Sequence, residues 1–386
     1  MIHSVYVVHG DDPAALAYEA AAKAFTEDPS DLRILLKVNT GFKGPAASGL
    51  CTHPEFVRGL LRFFQERHAK KLYVGDSSIV GTDSIEALKS AGIWDVCREE
   101  GVECLNLDES GMEERTIPGG VMVDSLKLSR LPFEVDRKIS VPVMKTHMYA
   151  TATLGLKNMK GCLYQRDKTR LHRILREVPD PSLGKGLDYG IADLAKICYP
   201  DYTIIDGYRA MEGFGPSGGT PVEMHLAISS ACAVAADITA VQLMGMARDA
   251  VPHIELIRRQ KGVAFEDIQV FPEDYLRYAR KFRLADEDDL HLAYRNPTLV
   301  DRGACSACHA AWIQFLRYHH QEFEDGEPIT VGIGRDLTAQ DLGGGRAVAV
   351  GNCTARLRDG VPFCKGCPPV PSQIARTIHA GKTLDD

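Results

Sequence analysis

The chain has 386 residues, 45% hydrophobic and 25% charged, with a formal net charge of −7. Such a chain can bury a sizeable core as one large or two medium domains, and its negative balance without a basic tail excludes general nucleic-acid binding. No apolar run approaches the roughly 20 residues that span a bilayer, and the N-terminal MIHSVYVVHGDDPAAL lacks a basic n-region and an apolar h-region, so the expectation is a cytoplasmic protein with no membrane segment.

In chain order, apolar runs at 5–8 (VYVV), 33–38 (RILLKV), 71–76 (KLYVGD) and 102–107 (VECLNL) read as strands alternating with segments of helical period. That rhythm predicts an α/β fold with a mostly parallel sheet and flanking helices. One helix is expected over 53–68, where Phe56, Leu60, Phe63 and Phe64 form an apolar stripe behind Pro54. A second is expected over 82–101, with Thr82 or Asp83 as cap and Gly101 after its end. Further strands are expected at 138–145, 202–207 and 225–231, followed by a buried helix in AVAADITAVQLMG. From 250 to 300 the chain turns charged and helical, and RNPTL reads as a linker. A boundary near 298 divides an α/β core (1–298) from a smaller cysteine-rich α/β region (299–386). In that tail a helix over 304–320, strands ITVGIG and AVAVGN and a helix from Pro371 are expected.

Several strand ends carry polar groups, where open α/β sheets bind ligands. Residues 141–161 end a strand at Lys145, Thr146 and His147 and continue to Lys157, Asn158 and Lys160. Three lysines, a histidine and an asparagine together suit a small anion, with Lys145 and Lys157 neutralising it, Asn158 donating a hydrogen bond and His147 as general acid/base. The bland reading is a solvated helix face and a capping histidine. Lys37 and Asn39, then Asp76, Ser77 and Ser78, then Asp206, Glu212 and Gly215 stand at other strand ends. The glycine-rich run 213–219 suits either amides approaching an anion or a wide turn, and it is neither a Rossmann fingerprint nor a P-loop. Asp237, in a strongly apolar segment, is either a cap or a ligand carboxylate.

Eleven cysteines in a reducing compartment are not expected to form a disulfide framework. Five of them crowd into the last 82 residues: Cys305, Cys308, Cys353, Cys364 and Cys367. Two i, i+3 thiol pairs plus a fifth thiol behind a strand suit one metal ion or one cluster. CSACH matches the covalent haem signature, but haem attachment requires export, and zinc ribbons use roughly 15 to 20 residues between pairs where 55 lie here.

FCKGCPPVPSQI resembles the Gly-Cys-Pro-Pro ligand loop of the small cluster-binding subunit of respiratory NADH dehydrogenase, which implies a [4Fe-4S] cluster, with zinc as the alternative. Residues 35–64, LYVGDSS, VPVMKTHMYATATLGLKNMKG and the stretch from Ile191 to Gly245 resemble the DUF362 family, a domain of unknown function often found in iron–sulfur proteins. That resemblance implies that Lys145, His147, Lys157, Asn158, Asp206, Glu212 and Gly215 share one functional surface. Cluster-bearing members often carry a ferredoxin-like insert, whereas the thiols here are dispersed. The resulting expectation is an iron–sulfur enzyme, an oxidoreductase or lyase, acting on a small anionic molecule, with a redox partner protein if the cluster carries electrons. The competing expectation is a non-catalytic electron carrier or metabolite-binding protein.

Overall fold

The computed structural model describes residues 2–174, 176–285 and 296–384. The chain divides into two compact units, Met1–Leu171 with Arg176–Ala285, and His172–Leu175 with Asp286–Asp386.

The strands of the first unit are β1 (His3–His9), β2 (Arg33–Lys37), β3 (Lys71–Asp76), β4 (Glu103–Asn106), β5 (Met112–Thr116), β6 (Ser125–Ser129), β7 (Arg137–Ser140), β8 (Val143–His147), β9 (Thr151–Thr153), β10 (Tyr202–Glu212), β11 (Thr220–Ser230) and β12 (Ile268–Phe271). Its helices are α1 (Pro13–Ala24), α2 (Pro54–Glu66), α3 (Ser84–Ser90), α4 (Ile93–Glu99), α5 (Leu131–Glu134), α6 (Gly155–Asn158), α7 (Asp167–Arg170), α8 (Gly186–Ile197), α9 (Ala233–Leu243) and α10 (Pro252–Lys261). The main sheet runs β12-β1-β11-β10-β7-β2-β3-β4, with β8 on β10 and β9 on β8. From β10 to β4 every pairing is parallel, while β11 and β9 run against their neighbours. β5 and β6 form a separate hairpin.

The sheet is covered on one face by the predicted phenylalanine stripe. Phe56, Leu60, Phe63 and Phe64 of α2 join Leu16, Ala17 and Ala20 of α1 over Ile34, Leu36, Leu72 and Val74. Alternate residues of β2 and β3 point that way, as a pleated strand requires. α9 is buried on nearly all sides, packing against β1, β10 and β11, which explains its lack of an apolar stripe.

Several expectations are corrected. The strand expected over 138–145 is two strands, β7 and β8, because Pro142 has no N–H for the ladder. The helix expected over 82–101 breaks at Gly92 (φ +79°) into α3 and α4. The charged stretch after Pro272 contains a 3-10 turn at Tyr275–Tyr278 and no α-helix through Ala285; the rest of that expectation lies outside the described residues. The strands expected at 202–207 and 225–231 extend to eleven residues each and form an antiparallel hairpin.

In the second unit, β13 (Thr298–Asp301), β14 (Ile329–Ile333), β15 (Arg346–Val350) and β16 (Phe363–Cys364) form a parallel sheet in that order. RNPTL is therefore not a linker: its last two residues begin β13, and buried Asn296 bonds Phe323 O and Glu327 O. α11 (Ser306–His319) and α12 (Pro371–Ala380) pack together beside the sheet. Among the described residues, no helix is long and apolar enough to cross a membrane.

Candidate functional site

In the first unit the C-terminal edge of the parallel sheet gathers Lys37 from β2, Asp76 from β3, Ser140 from β7 and Lys145 and His147 from β8. Lys37 Nζ lies 2.7 Å from Asp76 Oδ1, with both side chains almost wholly buried. The same ammonium donates to Asn158 Oδ1 and to Val38 O, each at 2.9 Å. Asn158 Nδ2 returns to Lys37 O (2.9 Å) and Ser140 Oγ (3.1 Å), which adjacency in the β2–β7 register brings together. Asp76 also accepts the N–H groups of Thr40 and Ser77, both at 2.7 Å. A Cβ on Gly161 would stand 2.2 Å from Asp76 Oδ1 and 2.4 Å from Lys37 Nζ, so glycine ends the Lys-Asn-Met-Lys-Gly motif because the ion pair occupies that space.

The remaining lysines are less well matched. Buried Lys145 donates to Leu50 O (2.9 Å) and Pro216 O (3.4 Å), with no carboxylate at ion-pair distance among the described residues. Burial pulls its pKa down to about 8, against partial support from Cys51 and Asp76. Lys157 is also buried, and its Nζ meets no acceptor at hydrogen-bond distance among the described residues. Burial, then the charges of Lys160 and Lys145, hold it well below the ordinary lysine range, and Asp188 pulls the other way. Burial takes Lys160 down to about 7. The result is a buried neighbourhood with more amino groups than carboxylates, in which burial disfavours the charged forms of Lys145, Lys157 and Lys160.

The other expected residues are placed as follows. His147 Nδ1 accepts the N–H groups of Tyr149 (3.0 Å) and Ala150 (3.1 Å), so the ring caps the turn after β8 and its neutral form carries the proton on Nε2. Asn39 Oδ1 is buried with no hydrogen-bond partner among the described residues. Asp206 accepts His53 N (2.7 Å) and Tyr208 N (3.0 Å), anchoring the entry to α2, and burial lifts it to about 7. Asp237 similarly caps α6 through Gly155 N (2.7 Å) and Leu156 N (2.9 Å), and burial lifts it to about 7. Glu212 is engaged by Arg283, through its backbone N–H and its guanidinium, both at 3.1 Å. The loop containing Gly215 turns carbonyl oxygens toward β8: Gly213 O accepts from Thr146 Oγ1 (2.9 Å), Gly215 O accepts Met148 N (2.9 Å) and Pro216 O faces Lys145. It is the wide-turn alternative, with acceptors rather than amides directed at the lysine.

Asp188 and His253 did not stand out in the sequence. Asp188 Oδ1 lies 3.4 Å from His253 Nδ1, both are buried, and His253 feels the charges of Lys157 and Lys160. An aspartate in the first turn of a helix and a histidine behind a helix-starting proline read locally as ordinary N-terminal residues, so no sequence signal marked them.

In the second unit the thiols also follow C-terminal strand ends. Cys305 caps α11 just after β13, and Cys308 lies in that helix's first turn. Cys353 follows β15, and Cys367 follows β16. The loops are laced together by Gly351 N to Cys364 O (3.0 Å), Asn352 N to Gly366 O (2.8 Å) and Gly366 N to Asn352 Oδ1 (2.9 Å). Gly351 has φ +98°, and a Cβ there would lie 3.0 Å from Cys308 Sγ and 3.8 Å from Cys353 Sγ. Cys308 feels the charges of Cys305, Cys353 and Cys367. The Cys308 thiol, helped by first-turn N–H groups of α11, pulls Cys305 down to about 6. Cys364 is buried in β16. His309, the histidine of CSACH, is held 2.6 Å from Asp301 Oδ2 and so ties α11 to β13. Among the described residues, no group of three or more His, Cys, Asp or Glu side chains is arranged to hold a single metal ion.

With this geometry established, the family described as "Domain of unknown function (DUF362)" matches residues 34–242. The chain belongs to this family. The DUF362 match covers Lys37, Lys145, Lys157 and Lys160 and ends before Asp286–Asp386, the larger part of the second unit. The thylakoid-associated protein sll1697 of Synechocystis sp. is 27% identical over 227 residues, 58% of this chain and 66% of that protein. Among solved structures, the lactate racemase apoprotein of Thermoanaerobacterium thermosaccharolyticum has a TM-score of 0.41 at 13% identity, over 63% of this chain and 56% of that one. A protein from Thermotoga maritima has a TM-score of 0.39 at 15% identity, over 61% and 60%. The chain thus spans just under two thirds, or less, of the length of each.

The depressed Lys145 pKa gives a signed prediction. Between about 8 and the unfolded value near 10.4, the unfolded chain binds more protons at this residue, so stability rises with pH. The unfolding free energy of the wild type minus that of Lys145→Met is expected to grow by about 2 to 3 kcal/mol from pH 7 to pH 10. Urea melts across that range check it, and a pH-independent difference refutes the buried, pKa-depressed lysine.

Proposed function

We propose that this DUF362 protein is an iron–sulfur protein that binds a small anionic molecule at the lysine neighbourhood of its first unit. The observation that supports the cluster is the nearness of four thiols from three separate loops: Cys308 and Cys353 flank Gly351, and each of these two feels the charges of Cys305 and Cys367. Four thiols that influence one another's charge, without closing on one point as a single ion requires, suit the four corners of a [4Fe-4S] cluster better than tetrahedral zinc. Cys364, buried within β16 and not in a loop, is assigned as the fifth thiol outside the ligand set. The Cys367-Pro368-Pro369 turn supports the reading, because proline keeps the following chain from continuing the strand over the sulfur.

A cluster held in this way supplies one-electron transfer or, with an open iron, Lewis acidity. In the first unit, Lys145 and Lys157 attract and neutralise the anion, Asn158 keeps Lys37 committed to Asp76, and His147 presents Nε2–H as a donor. These roles support the reading of an enzyme acting on an anion, as oxidoreductase or lyase. A cytoplasmic location and a redox partner protein belong to the same proposal.

The test is a panel of five single Cys→Ala variants purified anaerobically. Loss of most iron and sulfide is expected for Cys305, Cys308, Cys353 and Cys367, with near-normal content for Cys364→Ala. Full cluster content in any of the first four removes that thiol from the ligand set, and full content in all of them ends the proposal.

A further inference from the structure

The Asp188–His253 pair lies outside every motif legible in the sequence, and its chemistry is unusual for a packing contact. α8 packs against α6, which carries Lys157, against the 3-10 turn Met159–Cys162, which carries Lys160, and against α10, which carries His253. Asp188 Oδ2 accepts Lys185 N at 3.0 Å, which fixes the carboxylate and leaves Oδ1 beside His253 Nδ1. Burial keeps His253 below its ordinary pKa and therefore neutral near pH 7. With Nδ1–H directed at the carboxylate, the lone pair of Nε2 is bare. That Nε2 is fully buried and has no hydrogen-bond partner among the described residues. Buried polar atoms in this condition point to a missing water, ion or ligand.

The two unmet needs are complementary. Lys157 Nζ has donors and no acceptor, while His253 Nε2 is an acceptor with no donor. A water satisfies both but leaves Lys145 with only carbonyl acceptors and no carboxylate at ion-pair distance among the described residues. A protonated oxyanion supplies negative oxygens and one O–H together.

We propose that Asp188 and His253 extend the lysine neighbourhood into a site for a protonated phosphate-type oxyanion, either hydrogen phosphate or a phosphomonoester. Its charged oxygens face Lys145 and Lys157, and its P–OH donates to His253 Nε2. His147, whose Nδ1 accepts two backbone N–H groups, has the opposite tautomer. The inference rests on the anion-binding reading above and deepens it by naming the anion's class and its acceptor.

The experiment is calorimetric titration of the full chain at pH 7 with inorganic phosphate and with sulfate, which matches phosphate in size but has no proton to give. Glycerol phosphate is titrated beside them to tell a phosphomonoester from the free anion. Imidazole nitrogen NMR on the wild type follows His253 directly. Phosphate is expected to bind at least tenfold more tightly than sulfate and to shift the His253 Nε2 resonance. His253→Phe should remove the preference, leaving sulfate binding within a few fold. If phosphate and sulfate bind equally and His253 does not respond, His253 is no part of the site and the lysine reading survives alone. If no anion binds, the lysine reading fails and takes this inference with it. Because the imidazole signal is read on the wild type, a variant that does not fold leaves the question decidable.

Discussion

A lysine and an aspartate sealed from water between two parallel strands are the constraint on which the first unit depends. Desolvating two charges costs several kcal/mol per ion, and removing one partner of such a pair typically costs about 3 to 5 kcal/mol. Lys37 and Asp76 tolerate burial because their remaining hydrogen-bonding capacity is filled: Asn158 and Val38 for the ammonium, Thr40 and Ser77 for the carboxylate. Filling it fixes the backbone of α6 and the turn after it, since Asn158 must reach Lys37 and Gly161 must lie against the pair. Lys157 and Lys160 are carried on that same short segment, so the ion pair sets their positions while contributing no free charge itself.

The two units use one geometric rule. Parallel strands leave their C-terminal edge open to loops, and loop residues there can converge from distant parts of the chain. In the first unit that edge holds a buried ion pair and cations in excess. In the second it holds Cys305, Cys353 and Cys367 behind β13, β15 and β16, with Cys308 one helical turn on. Under the proposed cluster, loop convergence would give dispersed thiols what a compact ferredoxin motif achieves by short spacing.

Much of this was legible in the sequence, for identifiable reasons. β2 and β3 are largely buried on both faces beyond their first residues and stand out as runs, and Lys37, Asp76 and Lys145 stand out because charge follows apolar residues abruptly. The phenylalanine stripe of α2 follows from its period. What failed depended on tertiary context. Pro142 breaks a strand that hydropathy alone joins, and the length of the β10–β11 hairpin comes from pairing that no local pattern reports. Asp206 and Asp237 look like site carboxylates in one dimension, yet Asp206 is spent on the N–H groups of His53, the cap of α2, and of Tyr208 in its own strand, and Asp237 on those of Gly155 and Leu156 in α6. Asp188 and His253 are 65 residues apart and meet only because α8 packs on α10.

The most direct measurement is iron, acid-labile sulfide and zinc analysis of the anaerobically purified wild-type protein, with optical and EPR spectra before and after dithionite. About four iron and four sulfide per chain, with a broad visible absorption that bleaches on reduction, is the expected result. A colourless protein with one zinc per chain, or with no metal at all, would contradict the cluster and leave the thiols of the second unit as a structural clamp.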